Sequence, residues 1–259
     1  MKSNEVPMKL KNIIQITISF IITSVLVFAF SKRPSSIPED TTINTRQEVS
    51  HGQELTIEFD WGKAFNHPTF AVWIEKLDGT FLETLYATRS MSTGNWPYAK
   101  VEAYKWKPET GHRIRPAALP YWFYKRSKIS GQPSIPTHED PLPDAITGAT
   151  PKSDFQLQTK ISKDVPQSFW LFVEINQTWD WNDYWTNDKY PNDENYKSSS
   201  QPALVYAVRI NLDKSADTYY LNPIGHSHYS GKNGDLYTDL STITTALDIA
   251  KTIKVKINR

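Results

Sequence analysis

Leu55, Ile57, Phe59 and Trp61 fall on one side of an extended backbone, with Thr56, Glu58 and Asp60 on the other. Period-two alternation of this kind suits a half-buried strand and not an amphipathic helix, whose apolar positions recur every three to four residues. The same period returns in Asp154–Ile161, through Phe155, Leu157 and Ile161, and in Ser168–Asn176, through Phe169, Leu171, Val173 and Ile175. Phe70–Glu75 and Thr80–Tyr86 read as two further strands joined at Leu77-Asp78-Gly79, where Asp-Gly supplies the positive φ angles of a tight hairpin. More strands are predicted at Lys100–Trp106, Ala203–Asn211, Thr218–Leu221 and Thr252–Ile257, and a short helix over Ile243–Ala250 capped by Ser241. Strands in this number, separated by turn-rich gaps, predict an all-β antiparallel sandwich. An aromatic content of 13%, with 9 Trp and 13 Tyr, favours strands over helices.

The N-terminus departs from this pattern. Lys2, Lys9 and Lys11 precede Asn12–Ser31, which carries no charge and is apolar on every face, long enough to span a bilayer as a helix. It reads either as a retained anchor, N-terminus inside, or as a signal peptide cut near Ala29-Phe30-Ser31. The expected organisation is a signal anchor or signal peptide over 1–31, a polar linker over 32–50 and a β-sandwich domain over 51–259. The domain is then extracytoplasmic, on the periplasmic side, and either held at the inner membrane or secreted. With 29 Lys+Arg against 28 Asp+Glu the chain has no overall field for collecting nucleic acid. The absence of cysteine removes disulfides, thiolate metal sites and iron–sulfur clusters.

The run Phe70-Ala71-Val72-Trp73-Ile74-Glu75, then Asp78-Gly79, Thr84-Leu85, Arg115-Pro116-Ala117 through Pro120-Tyr121-Trp122, and Asp144 through Pro151 resembles a family of bacterial periplasmic proteins of unknown function. The resemblance covers Leu55 to Glu174 and implies an immunoglobulin-like sandwich. Members are often encoded beside flavin transferases and membrane electron-transfer proteins, which implies a redox neighbourhood with those proteins as partners.

Asp144-Ala145-Ile146-Thr147-Gly148-Ala149-Thr150 is also similar to the acceptor motif of exported proteins that carry FMN esterified through its phosphate to the last Thr, attached by a magnesium-dependent transferase that cleaves FAD. That similarity makes Thr150 the linked residue, with Asp144, Thr147, Gly148 and Ala149 around it. Small residues clear the approach to a hydroxyl that must reach another enzyme, and prolines and glycines place Ser130–Ser153 in an exposed loop. The segment has a second reading: Asp144 and Thr147 fix a turn through local bonds, Gly148 is left-handed, and Thr150 starts the next strand.

His226 and His228 flank Ser227 at a spacing that would place both imidazoles on one face of a strand, a weak metal site that needs a third ligand. His138, Glu139 and Asp140 are the nearest-looking cluster, and nothing in the sequence brings them there. Gln177–Pro202 is a long insertion rich in aromatics and Asp/Asn, in which Trp179, Trp181 and Trp185 either stack on a ligand or fold back over the sandwich. Nucleophile elbows, phosphate-binding loops and zinc-protease signatures are absent from the sequence. Two functions follow: a component of flavin-linked electron transfer bearing FMN on Thr150, or a non-catalytic module that binds glycan or protein through the aromatic loop.

Overall fold

The computed structural model describes residues 41–45, 52–102, 105–130, 135–143, 146–214 and 217–258. The expected span over 1–31, most of the linker, and Asp144 and Ala145 lie outside them. No helix among the described residues is long and apolar enough to cross a membrane.

The strands are β1 (Thr41–Asn44), β2 (Glu54–Trp61), β3 (Thr69–Glu75), β4 (Phe81–Thr88), β5 (Asn95–Trp96), β6 (Lys100–Glu102), β7 (Lys105–Lys107), β8 (Gly111–His112), β9 (Thr147–Gly148), β10 (Phe155–Lys160), β11 (Ser168–Asn176), β12 (Leu204–Asn211), β13 (Thr218–Tyr220), β14 (Asn222–His226) and β15 (Ala250–Asn258). Two large sheets form a sandwich: one runs β1-β10-β2-β15-β13, the other β14-β12-β11-β3-β4-β9. Pairing is antiparallel except at β1/β10 and β4/β9, which are parallel.

The alternation read from the sequence sets the inner faces. Leu55, Ile57 and Phe59 of β2, Phe155 and Leu157 of β10, and Ile253, Val255 and Ile257 of β15 meet Phe70, Val72 and Ile74 of β3 and Phe169, Leu171, Val173 and Ile175 of β11 in one core. Phe59 and Phe155 stack with ring centroids 4.6 Å apart. The hairpin between β3 and β4 turns where expected: Gly79 has φ 84°, and the Thr80 amide donates to the Asp78 carboxylate at 2.9 Å.

The six-stranded sheet is covered on its other face as well. Ala71 and Trp73 of β3, Phe172 of β11 and Val205 and Ala207 of β12 pack with Leu119, Tyr121, Trp122 and Phe123 in a second core. Those aromatics open a helix, Pro120–Ser130, that the alternation does not predict. Its first turn is held by Glu174 of β11, whose carboxylate accepts from the amides of Tyr121 (3.2 Å) and Trp122 (2.8 Å). One turn on, Lys125 donates to Glu75 at 2.7 Å.

Three expectations are corrected. Thr41–Asn44, assigned to the linker, pairs with β10 as an edge strand, and Ile43 packs against the core. Lys100–Trp106 is not one strand but the paired strands β6 and β7. The helix expected over Ile243–Ala250 is a 3-10 turn, Thr245–Asp248, after which Ala250 already pairs with Trp61.

Candidate functional site

At one end of the six-stranded sheet, the loop before β3, the ends of β4 and β11 and the residues after β9 converge with β5. They enclose a cleft of about 670 Å³. Three aromatic residues line it: Trp96, Tyr98 and Trp179. Trp96 is buried, and its indole N–H donates to the Arg113 carbonyl at 2.8 Å. Tyr98 and Trp179 are exposed and stand edge to face, 5.6 Å between centroids. Arg89, Arg115, Lys152 and His67 add polar or cationic groups.

Arg115 is 5% exposed, and its guanidinium lies 4.2 Å from the centre of the Trp96 ring. It donates to the Tyr98 carbonyl and, at 3.5 Å, to the Thr178 hydroxyl. Burial, with the Arg113 charge nearby, pulls its pKa down to about 10, which leaves it cationic at neutral pH. The cleft also holds backbone strain. His67 (φ 55°) and Trp179 (φ 62°) line it, and Ser200 (φ 79°) bridges to Asp180, next to Trp179. Non-glycine residues with positive φ cost on the order of 1–3 kcal/mol each and cluster at working sites.

Thr150 and Ala149 form part of the cleft wall. The Thr150 hydroxyl is half-buried and already donates to the Pro68 carbonyl at 2.7 Å, which ties the chain after β9 to the loop before β3. Ala149 is exposed. The segment is not a free loop, because Thr147 and Gly148 form β9 on the edge of the sheet beside Ala87 and Thr88 of β4. Gly148 is not among the left-handed glycines. Its reason is contact: a Cβ there would lie 2.7 Å from the hydroxyl of Tyr86, a fully buried ring that donates to the Ala149 carbonyl. The Thr147 hydroxyl is buried and makes no hydrogen bond among the described residues, so it does not fix a turn.

No family model, curated protein or solved structure matches the chain.

The remaining candidates separate. Of the three tryptophans in the long insertion, Trp179 lines the cleft, while Trp185 is buried and Trp181 packs against the core. Asn182 accepts from the Tyr184 and Trp185 amides, the Trp185 indole N–H donates to the Thr242 hydroxyl, and Asp193 caps the helix Glu194–Ser199. The insertion is therefore folded back over the sandwich rather than projecting from it. His226 is buried against Tyr237 and Trp185, with Nδ1 2.8 Å from the Ser227 carbonyl. Nδ1 of His228 accepts from the Ser230 amide, and its ring stacks on Tyr229. Burial lowers the pKa of both. His138 stacks on His112 with centroids 4.1 Å apart. Among the described residues, no group of three His, Cys, Asp or Glu is placed to hold a metal ion.

Sequence reasoning missed Trp96, Tyr98, Arg115 and His67. They come from three separate stretches, with Trp96 and Tyr98 together on one of them, and only the fold brings them to Thr150.

Proposed function

We propose that this protein is a membrane-tethered or secreted extracytoplasmic component of flavin-linked electron transfer, with an immunoglobulin-like sandwich as scaffold and FMN carried covalently on Thr150. One observation carries the reading: the last Thr of the Asp-x-x-Thr-Gly-Ala-Thr segment opens on the same cleft as two exposed aromatic rings and several cationic side chains. Rings of this kind offer faces to a planar heterocycle, and arginine and lysine suit a phosphate.

In the attachment step a flavin transferase presents FAD. Thr150 Oγ1 forms the bond to the flavin-side phosphorus as the pyrophosphate bond breaks, AMP leaves with that bond's electron pair, and the hydroxyl proton is released to solvent. The new ester oxygen cannot donate, so the bond to Pro68 is lost, a change of about 0.5–1.5 kcal/mol. Tyr98 and Trp179 would cover the ring system, and Arg89 and Lys152 would balance the phosphate charge. The flavin supplies one- and two-electron redox chemistry that no side chain of this cysteine-free protein replaces.

Co-expression with such a transferase is expected to give a band that fluoresces under ultraviolet light on a denaturing gel, and an intact mass raised by one FMN. Thr150→Ala abolishes both. A dark band of unmodified mass from the native sequence overturns the reading.

The exposed Tyr98–Trp179 pair also favours a second reading, a non-catalytic binding module that stacks a sugar or a partner's ring without a covalent bond. Quenching of tryptophan emission by candidate sugars, lost in Trp179→Ala, together with a dark gel band, would select it.

A further inference from the structure

Two segments that are distant in sequence, Trp96–Tyr98 after the short helix Arg89–Thr93 and Thr178–Trp179 after β11, form facing parts of the cleft. Besides the edge contact of the Tyr98 and Trp179 rings, one guanidinium reaches both segments. It rests on Trp96, which is itself fixed through Arg113, and reaches Tyr98 with one nitrogen and Thr178 with another. Trp179 holds a backbone conformation that L residues avoid; its carbonyl accepts from the Trp181 amide at 3.1 Å and Asp180 is bonded to Gln201 on one side, and on the other the Arg115 bond to Thr178 lies one residue away.

We propose that Arg115 is the positioning residue of the cleft: it clamps Tyr98 and Thr178 together and so holds the Tyr98 and Trp179 rings edge to face as a preformed wall for a planar, anionic ligand. The assignment rests on the ligand-binding reading of the cleft. A planar fork suits the task, because donors on different nitrogens diverge at fixed angles while the flat face stays on the indole. The lysine ammonium is a point charge and can do neither. With the wall preformed, the ligand does not have to order two exposed rings as it binds.

The test uses the full chain produced without a flavin transferase, with free riboflavin 5′-phosphate as probe and quenching of flavin fluorescence as readout. Arg115→Lys and Trp179→Ala are each expected to weaken binding about tenfold, and the double variant to bind no more weakly than the worse single one, because both remove the same wall. Arg115→Lys binding like the parent, or losses that multiply in the double variant, overturns the clamp. If the parent does not bind free riboflavin 5′-phosphate, the flavin reading loses its support, and hydrogen–deuterium exchange decides the clamp alone. Arg115→Lys should then speed exchange in peptides spanning 96–99 and 177–180 while β3 and β11 stay protected; unchanged exchange in both peptides overturns it. Should Arg115→Lys fail to fold, Thr178→Val removes one acceptor and should speed exchange around 177–180 only, with no change again overturning the proposal.

Discussion

At the scale of single residues, the molecule depends on a few polar groups placed where solvent is excluded. Glu174 is fully buried between the six-stranded sheet and the Pro120–Ser130 helix. Burial pushes its pKa up to about 8, against the opposing pull of the two amides it accepts from. The folded chain therefore keeps a proton there that the unfolded chain sheds near the ordinary glutamate value. Stability from this site is full below about pH 4.5 and is lost as pH rises through about 8. Melting temperature measured from pH 5 to 8.5 should fall more steeply for the native sequence than for Glu174→Gln; parallel slopes would refute this. Gly148 makes a simpler case. Gly148→Ala forces a methyl group against the Tyr86 hydroxyl, which is buried and bonded, so the denaturation midpoint should drop by the equivalent of about 1–3 kcal/mol. An unchanged midpoint would show that the edge strand can shift.

The elements were unequally legible. β2, β10 and β11 were readable because one side of each alternates cleanly, and the β3–β4 turn because Asp78-Gly79 leaves few conformations open. The Pro120–Ser130 helix was not, because Tyr121-Trp122-Phe123-Tyr124 favours a strand when taken alone. Its helicity comes from partners far away in the chain: Glu174 at its first turn, Lys125 on Glu75, and an apolar sheet face to cover. That face did leave a trace, since Phe70–Ile74 and Phe169–Val173 are apolar without interruption, as strands buried on both sides are. Lys125→Met should test how far the helix depends on its ion pair. It strands the Glu75 carboxylate in the interior, where the Trp73 indole N–H still donates to it, and a loss of about 3–5 kcal/mol is expected by chemical denaturation. Adding Glu75→Gln should recover part of it; no loss in the single variant would mean that water reaches the carboxylate. Of the candidate site, the segment around Thr150 could be read from its residues. Its partners could not, because the cleft joins six separate stretches between Asn66 and Trp179 that meet only in the fold.

For the molecule as a whole, the order of strands in the five-stranded sheet matters beyond the core it covers. β1 runs parallel to β10, β10 antiparallel to β2, and β2 antiparallel to β15, so β1 and β15 point the same way. Thr41, at the start of one, and Asn258, at the finish of the other, thus lie toward opposite rims. A tensile load applied between these points acts along the strands, and the bonds of several ladders must slide past one another at once instead of unzipping singly. A chain stretched between a fixed surface and a moving partner would fail in shear.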